Sequence, residues 1–382
     1  MRKTLDVFWR FFTLGFVSFG GPAAHIGYFQ KTFVQKLKWI DDEAYARLIS
    51  LSQFLPGPGS SQIGFALGVR RAGVMGGFAA FIGFTLPSFL LLYFLATTST
   101  DQHSGDLFSG IVHGLKLLAV VVVADATLSM FKTFCNNTLS TSIAALTAAI
   151  LLWAPGLLTQ LSVLVVAALA GANLGKPILN KSTTQQRVKV VPLALFLVLF
   201  LGLPLLAITT QTLDIFSRFY QSGSLVFGGG HVVLPLLQQT IGDSVATDRF
   251  LLGYAAAQAV PGPMFSLAAF LGAELSPSTP LLGALIATAG IFLPGFLLVL
   301  ALQGAWESLA AQPKVAGAAW GINAAVVGLL LSALYQPVFV SAVYTPIDMS
   351  MVILGFIALR TVKVPIVMLV LGFGVLGLIL HL

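Results

Sequence analysis

The stretch Gln53-Phe54-Leu55-Pro56-Gly57-Pro58-Gly59-Ser60-Ser61-Gln62 lies inside a long apolar region and cannot be continuous helix. Proline removes a backbone donor and clashes with the preceding turn, and glycine loosens the chain beside it. The pattern returns as Gln258-Ala259-Val260-Pro261-Gly262-Pro263-Met264-Phe265-Ser266, a step of 205 residues from Gly57 to Gly262. Within a membrane such a break survives only where protein or trapped water satisfies the freed backbone groups. Matching breaks in two halves of one chain are the sequence pointer to a transporter's binding site.

Composition sets the class. Of 382 residues 57% are apolar and only 9% charged, with a mean hydropathy of +0.95. A soluble domain carries about 25% charged residues, so the chain reads as an all-α polytopic protein of the lipid bilayer. Met1-Arg2-Lys3 and the apolar run behind it imitate a signal peptide. No small-residue cleavage site follows before Gly20-Gly21-Pro22, so the run is expected to stay in the mature protein. A single cysteine, Cys135, excludes a disulfide framework and a thiolate metal cluster. The net charge of +7 fits the bias of basic residues toward the cytoplasm, with no need of a nucleic-acid partner.

Taken in order, residues 5–20 and 22–38 read as two helices around Gly20-Gly21-Pro22, each short for a crossing. Residues 43–55 and 58–69 flank the Pro-Gly-Pro break. Full crossings follow at 73–96 and 109–131, then a short pair at 139–153 and 157–173, and a polar, basic linker at 175–189. Residues 190–208 form one further span without an earlier counterpart. After it the pattern starts again: Asp6-Val-Phe-Trp-Arg10 is echoed by Asp214-Ile-Phe-Ser-Arg218, Phe19-Gly20-Gly21 by Phe227-Gly228-Gly229, and Phe84-Thr-Leu-Pro87 by Ile291-Phe-Leu-Pro294. This is an internal duplication: an N-terminal repeat over 1–174, a linker with one transmembrane helix over 175–211, and a C-terminal repeat over 212–382. Lys116 apart, the basic residues of 1–189 can all be placed on one side, whereas Lys314, Arg360 and Lys363 fall on the opposite ends of the second half. One odd span between two even-membered halves inverts the second, with a cytoplasmic N-terminus and a periplasmic C-terminus.

The set Ser18-Phe-Gly-Gly-Pro22, Gln53-x-x-Pro-Gly-Pro58, Phe84-x-x-Pro87, Phe227-Gly-Gly-Gly-His231 and Pro261-Gly-Pro-x-Phe265 resembles the chromate ion transporter family, in the long form with two fused homologous halves. The resemblance covers nearly the whole chain. It implies efflux of chromate across a bacterial inner membrane, giving chromate resistance, with sulfate, of like charge and shape, as competitor or as counter-substrate of an antiporter. The halves differ: Pro22 becomes Gly230, His25 has no aligned histidine, and Ser60-Ser61-Gln62 gives way to Ser266 alone.

A tetrahedral dianion leaves water only where donors and positive charge replace its hydration. Three devices supply them. Backbone N–H groups and positive dipole ends follow Gly20–Gly21 and Gly57, and again Gly228–Gly229 and Gly262. Arg10 and Arg218 offer permanent charge and a two-pronged fork, each four residues after an aspartate, Asp6 or Asp214, with which it would otherwise form a surface pair. Gln53, Ser60, Ser61, Gln62, Lys116, Gln258, Ser266 and Asn323 are polar side chains in apolar runs, and Lys116 aligns with Asn323 across the repeat. A partner for Lys116 on its own helix would be Asp125. His25 and His231 titrate near neutrality and are, with Asp6 and Asp214, candidates for coupling.

A secondary oxyanion transporter is therefore expected, without cofactor or metal. No GxxxxGK[ST] loop is present to draw on ATP, and no HExxH, GxSxG or carboxylate cluster supports an intramembrane enzyme acting on anionic lipid. A channel for the same anions is the remaining alternative, and a homodimer is compatible with a sequence that carries no signal of oligomeric state. Inverted topology is testable by itself. With Cys135 replaced, single cysteines at Ser104, Ser182 and Ala311 are exposed to a membrane-impermeant thiol reagent. Position 104 should label in intact cells and all three after lysis; labelling of both 104 and 311 from outside would mean parallel repeats.

Overall fold

The computed structural model describes residues 2–19, 21–99, 106–175, 188–227 and 232–380. All regular structure among them is helical, and four helices are long and apolar enough to cross a membrane: Gly59–Thr98, Ser109–Phe134, Pro280–Leu302 and Pro313–Phe339. The chain is a multi-pass helical membrane protein. It divides into two compact units, the first built from 1–103, 189–233 and 256–303, the second from 104–188, 234–255 and 304–382. Each unit draws on both halves of the sequence.

In the first unit, helix Arg2–Val17 is followed by Gly21–Phe29, a π-helical turn Gln30–Lys36 and helix Asp42–Phe54. The last of these starts where Asp41 accepts the Ala44 N–H at 2.7 Å, with Asp42 and Glu43 in the first turn complementing the dipole. It stops at Leu55, whose backbone is extended as the residue before a proline must be. The long helix Gly59–Thr98 is broken at Ala72 and Gly73, so the full crossing begins there, as the basic pair Arg70-Arg71 predicts. Its two limbs lie so close that a Cβ on Gly68 would run into the carbonyl of Gly76. The second half repeats this hairpin: helices Leu267–Leu275 and Pro280–Leu302 approach so that Gly272 and Gly283 each exclude a Cβ from the other. Linker helix Val190–Leu206 also belongs here. It packs on helix Gln211–Leu225 and on Pro280–Leu302 through Leu203, Tyr220 and Leu297, and turns apolar side chains such as Leu201 and Leu205 outward.

Aromatic side chains fill the first unit. Phe11 stacks on Phe33 at 4.7 Å and meets Phe29 edge-on at 5.4 Å, all three wholly buried. Phe65 and Phe296, one from each half, stack at 4.3 Å and seal the repeats together.

The second unit is a separate helical assembly. Helices Asp106–Phe134, Thr138–Trp153, Leu157–Leu174, Pro313–Ala333, Pro346–Ile357 and Ile366–Leu380 make up most of it. Asn137 and Ser140 form a capping box at one helix start, and Thr345 and Asp348 form another. The echo between halves is incomplete: residues 234–255 group with this unit, whereas their counterparts, 26–50, stay in the first.

Both glycines of the Pro-Gly-Pro breaks have positive φ, +123° at Gly57 and +106° at Gly262, which strains any other residue. A Cβ on Gly57 would lie 3.0 Å from Gln62 Nε2 and 3.1 Å from Gly295 Cα. The requirement for glycine therefore comes from the neighbouring helix of the other half, and not only from room for a ligand. Gly57→Ala should destabilise the protein by about 1–3 kcal/mol through backbone strain alone, and Gly57→Leu should abolish function. Thermal unfolding of the purified protein in detergent checks this; an unchanged midpoint for Gly57→Ala would remove the constraint.

Candidate functional site

Helix Arg2–Val17 ends at Ser18, and the Ser18 carbonyl accepts the Gly262 N–H at 2.9 Å. Helix Gln211–Leu225 ends at Val226, and the Val226 carbonyl accepts the Gly57 N–H at 2.7 Å. Ser18 and Val226 are duplicates of each other, as are Gly57 and Gly262. Each break is thus tied to the end of the first helix of the opposite repeat. Each bond satisfies one N–H at a break and one carbonyl at a helix end.

Polar side chains cluster along this crossing. His25, fully buried, lies with Nε2 3.1 Å from the Ser18 carbonyl and Nδ1 3.1 Å from Ser60 Oγ. The Ser88 hydroxyl donates to the Thr85 carbonyl at 3.0 Å, which leaves Ser266 to donate to Ser88 Oγ at 2.6 Å. A Cβ on Gly262 would fall 2.9 Å from Ser88 Oγ, so the second break is against this pair. Gln62 Nε2 donates to the Pro56 carbonyl at 2.8 Å, bracing the first break from inside. Three buried hydroxyls here, Ser18, Ser61 and Thr85, have no hydrogen-bond partner. Each such orphan costs about 1–3 kcal/mol until something occupies it. Gln62 differs, since its unpartnered atom is the acceptor Oε1.

The other expected site residues are dispersed. Gly20, Gly228, Gly229 and His231 lie outside the described residues, as do positions 104 and 182. Gly21 opens its helix at φ +74°. Gln53 is exposed, and Gln258 donates to Met264 Sδ at 2.7 Å. Arg10 pairs with Asp6 at 3.2 Å and Arg218 with Asp214 at 2.9 Å, both within one helix and both a third or more exposed. These are the surface pairs that the spacing allows. Lys116 and Asn323 belong to the second unit, and the Asn323 Oδ1 is unpartnered.

The second unit holds the buried charge. Among the described residues Lys116 and Asp348 are the buried charged side chains. Lys116 reaches Asp248 at 2.8 Å and lies 5.6 Å from the centre of the Tyr344 ring. Asp125, its expected partner, is instead bound by Arg360 at 2.5 Å; nine residues along a helix place the two side chains half a turn apart. His113 Nε2 donates to Asp348 Oδ1 at 2.8 Å, while Oδ2 takes the Tyr344 and Thr345 N–H groups.

A family profile described as chromate transporter matches residues 5–175 and 213–378, one match for each repeat. The chain belongs to the chromate transporter family. Its relatives include the chromate transport protein of Pseudomonas aeruginosa, 27% identical over 97% of this chain and 91% of that one. The chromate transport protein of Cupriavidus metallidurans is 25% identical over 100% and 93%. An uncharacterized transporter of Methanocaldococcus jannaschii is 26% identical over 80% and 77%. No solved structure matches. The family is one of transporters, not of enzymes.

Several side chains of this chromate transporter escaped the sequence reading. Thr85 and Ser88 flank Pro87 within a 40-residue helix, and two hydroxyls beside an intrahelical proline were a usable signal. His113 precedes Lys116 by three residues and so shares its face. Asp248 carried no local mark, because its partner comes from a distant segment, and the Thr345-x-x-Asp348 spacing marked a helix start but not the bond to His113.

The Lys116–Asp248 pair has unequal members, Lys116 being 6% and Asp248 64% exposed. Removing the carboxylate strands a buried cation, whereas removing the cation leaves a carboxylate already in solvent. Asp248→Asn should therefore destabilise by about 1–3 kcal/mol, Lys116→Met by less, and the double variant should recover most of the loss. Thermal melts of the three variants form the cycle; equal losses that simply add would mean that the pair is not coupled.

Proposed function

We propose that this chain is a secondary transporter of tetrahedral oxyanions, chromate among them, that binds its substrate at the crossed breaks of the first unit and exports it across the bacterial inner membrane. Family membership and the names of the Pseudomonas and Cupriavidus relatives support chromate as substrate. Sulfate shares its charge and shape and is the expected competitor. The observation that carries the reading is the set of buried, unpartnered hydroxyls, Ser18, Ser61 and Thr85, beside two helix breaks tied to each other's repeat. Hydroxyl and backbone N–H donors together with helix dipoles can replace the hydration of an oxyanion without a fixed counter-charge. Arg10 and Arg218 then act as surface pairs, and Lys116 as a charge already neutralised in the second unit.

Inverted repeats suit this reading. With the odd helix Val190–Leu206 between them, equivalent breaks would face opposite sides, and exchange between two crossed arrangements would give alternating access. Radiolabelled chromate and sulfate flux into proteoliposomes tests it. Flux should saturate and each anion should inhibit the other, whereas a non-saturating conductance would indicate a channel. Ser61→Ala and Thr85→Val should each raise the half-saturating concentration about tenfold, the loss of one hydrogen bond to a charged group. Arg10→Lys should stay within about twofold of the parent. A strong Arg10→Lys defect beside fully active hydroxyl variants would move the site to the arginine.

A further inference from the structure

Resting on that reading, we propose that His25 takes up one proton with each oxyanion and thereby turns the Ser60 hydroxyl from the imidazole toward the substrate. The Ser18 carbonyl, 3.1 Å from Nε2, can only accept, so Nε2 carries a hydrogen. In the neutral ring Nδ1 is then bare, and the Ser60 hydroxyl 3.1 Å away donates its one proton to it. Ser60 is committed and cannot serve an anion. A proton added at Nδ1 reverses this bond. Nδ1–H now donates, Ser60 Oγ accepts, and the hydroxyl proton is released for another acceptor. Ser60 stands in the first turn after the break, next to Ser61 with its orphan hydroxyl. One protonation therefore adds a second donor beside one already free.

Charge makes the two events dependent on each other. His25 is fully buried, and no carboxylate or cation pairs with it among the described residues. A lone imidazolium is costly there, and so is a lone dianion; together each offsets the other. Titratable groups on the elements packed about the ring are engaged elsewhere. Tyr45 donates to the Ile26 carbonyl at 2.7 Å, Arg47 binds Glu43, and Arg71 lies over Trp39. Tyr28, on the same helix as His25, is exposed, and so are Lys31 and Lys36 just beyond it. From helix Gly59–Thr98 the ring is met edge-on by Phe84, 5.1 Å between centroids. The Ser18 carbonyl that anchors Nε2 also receives the Gly262 N–H, so the proton is felt at the second break as well.

The test uses proteoliposomes of the full chain with an entrapped pH dye and radiolabelled sulfate, which keeps one charge state across the neutral range. For the parent protein, a proton gradient should drive sulfate uphill with one proton per anion; the one net negative charge moved per cycle means that in the cell the interior-negative potential, not the proton gradient, drives export. The apparent affinity for sulfate should fall tenfold per unit of rising pH above the titration of the complex. His25→Gln retains a donor for the Ser18 carbonyl but cannot titrate. It should lose both gradient-driven accumulation and the pH slope, so that the remaining sulfate–sulfate exchange no longer depends on pH. Ser60→Ala should lower low-pH affinity about tenfold and leave high-pH affinity unchanged. Sulfate flux in the parent without proton movement, or an affinity without pH slope, overturns the role of His25 alone, whatever the variants do. Full coupling in His25→Gln does the same. A parent protein that carries neither sulfate nor chromate overturns the transport reading together with it.

Discussion

Two backbone hydrogen bonds, from Gly57 N–H to the Val226 carbonyl and from Gly262 N–H to the Ser18 carbonyl, hold the first unit to its arrangement. Pro-Gly-Pro frees backbone groups that lipid cannot satisfy, and each unsatisfied group in such surroundings costs several kcal/mol. A break could in principle be healed from within its own repeat. Here each break takes one bond from the other repeat, so neither half alone satisfies its own break. The duplication is consequently an interlock. Helix ends, hydroxyl cluster and aromatic seal at Phe65 and Phe296 all presuppose that both halves are in place.

Charge is distributed unequally between the two units. The described core of the first unit contains hydroxyls, amides and one imidazole, and its ion pairs lie at the surface. The second unit buries Lys116 and Asp348, each with a partner, and ties helix Asp106–Phe134 to later segments through Asp248, Asp348 and Arg360. Such pairs fix helices relative to one another more than they add stability, since desolvation offsets much of the attraction. A neutral core has no comparable lock. Its hydrogen bonds are individually weak and can be exchanged, which suits the role proposed for that unit.

What the sequence disclosed follows from the range of each interaction. Helix breaks and ends were legible, because proline, glycine and cap residues act within a few positions: the limits around Pro56–Pro58 and at Ala72–Gly73 agree with the expected ones to within two or three residues. The duplication was legible because it is a property of the string. Partners were not. Nothing near Lys116 pointed to Asp248, 132 residues on, and the nearer carboxylate at Asp125 went to Arg360. Nor could spacing foretell that each break would bond across to the opposite repeat, since the same motifs are compatible with breaks that close on themselves. Arg10 and Arg218 stood out in the string because charge is rare there, yet rarity in sequence gave no measure of depth in the fold.

Neutral donors also suit release. A guanidinium buried at the breaks would attract a dianion through low dielectric from every direction, and the complex would open only at great cost. It would further add a permanent charge to whatever moves. Hydroxyl groups hold an oxyanion only while their geometry is right, and Ser60, Ser88 and Ser266 have partners of their own in His25 and in each other. On the proposed reading, a shift of the crossing bonds at Gly57 and Gly262 would return those partners and deprive the anion of its donors one by one. A transporter must bind well enough to capture and weakly enough to let go. On that reading, exchangeable hydroxyls at the helix break meet both demands, because the movement that opens the site would also satisfy the groups that formed it.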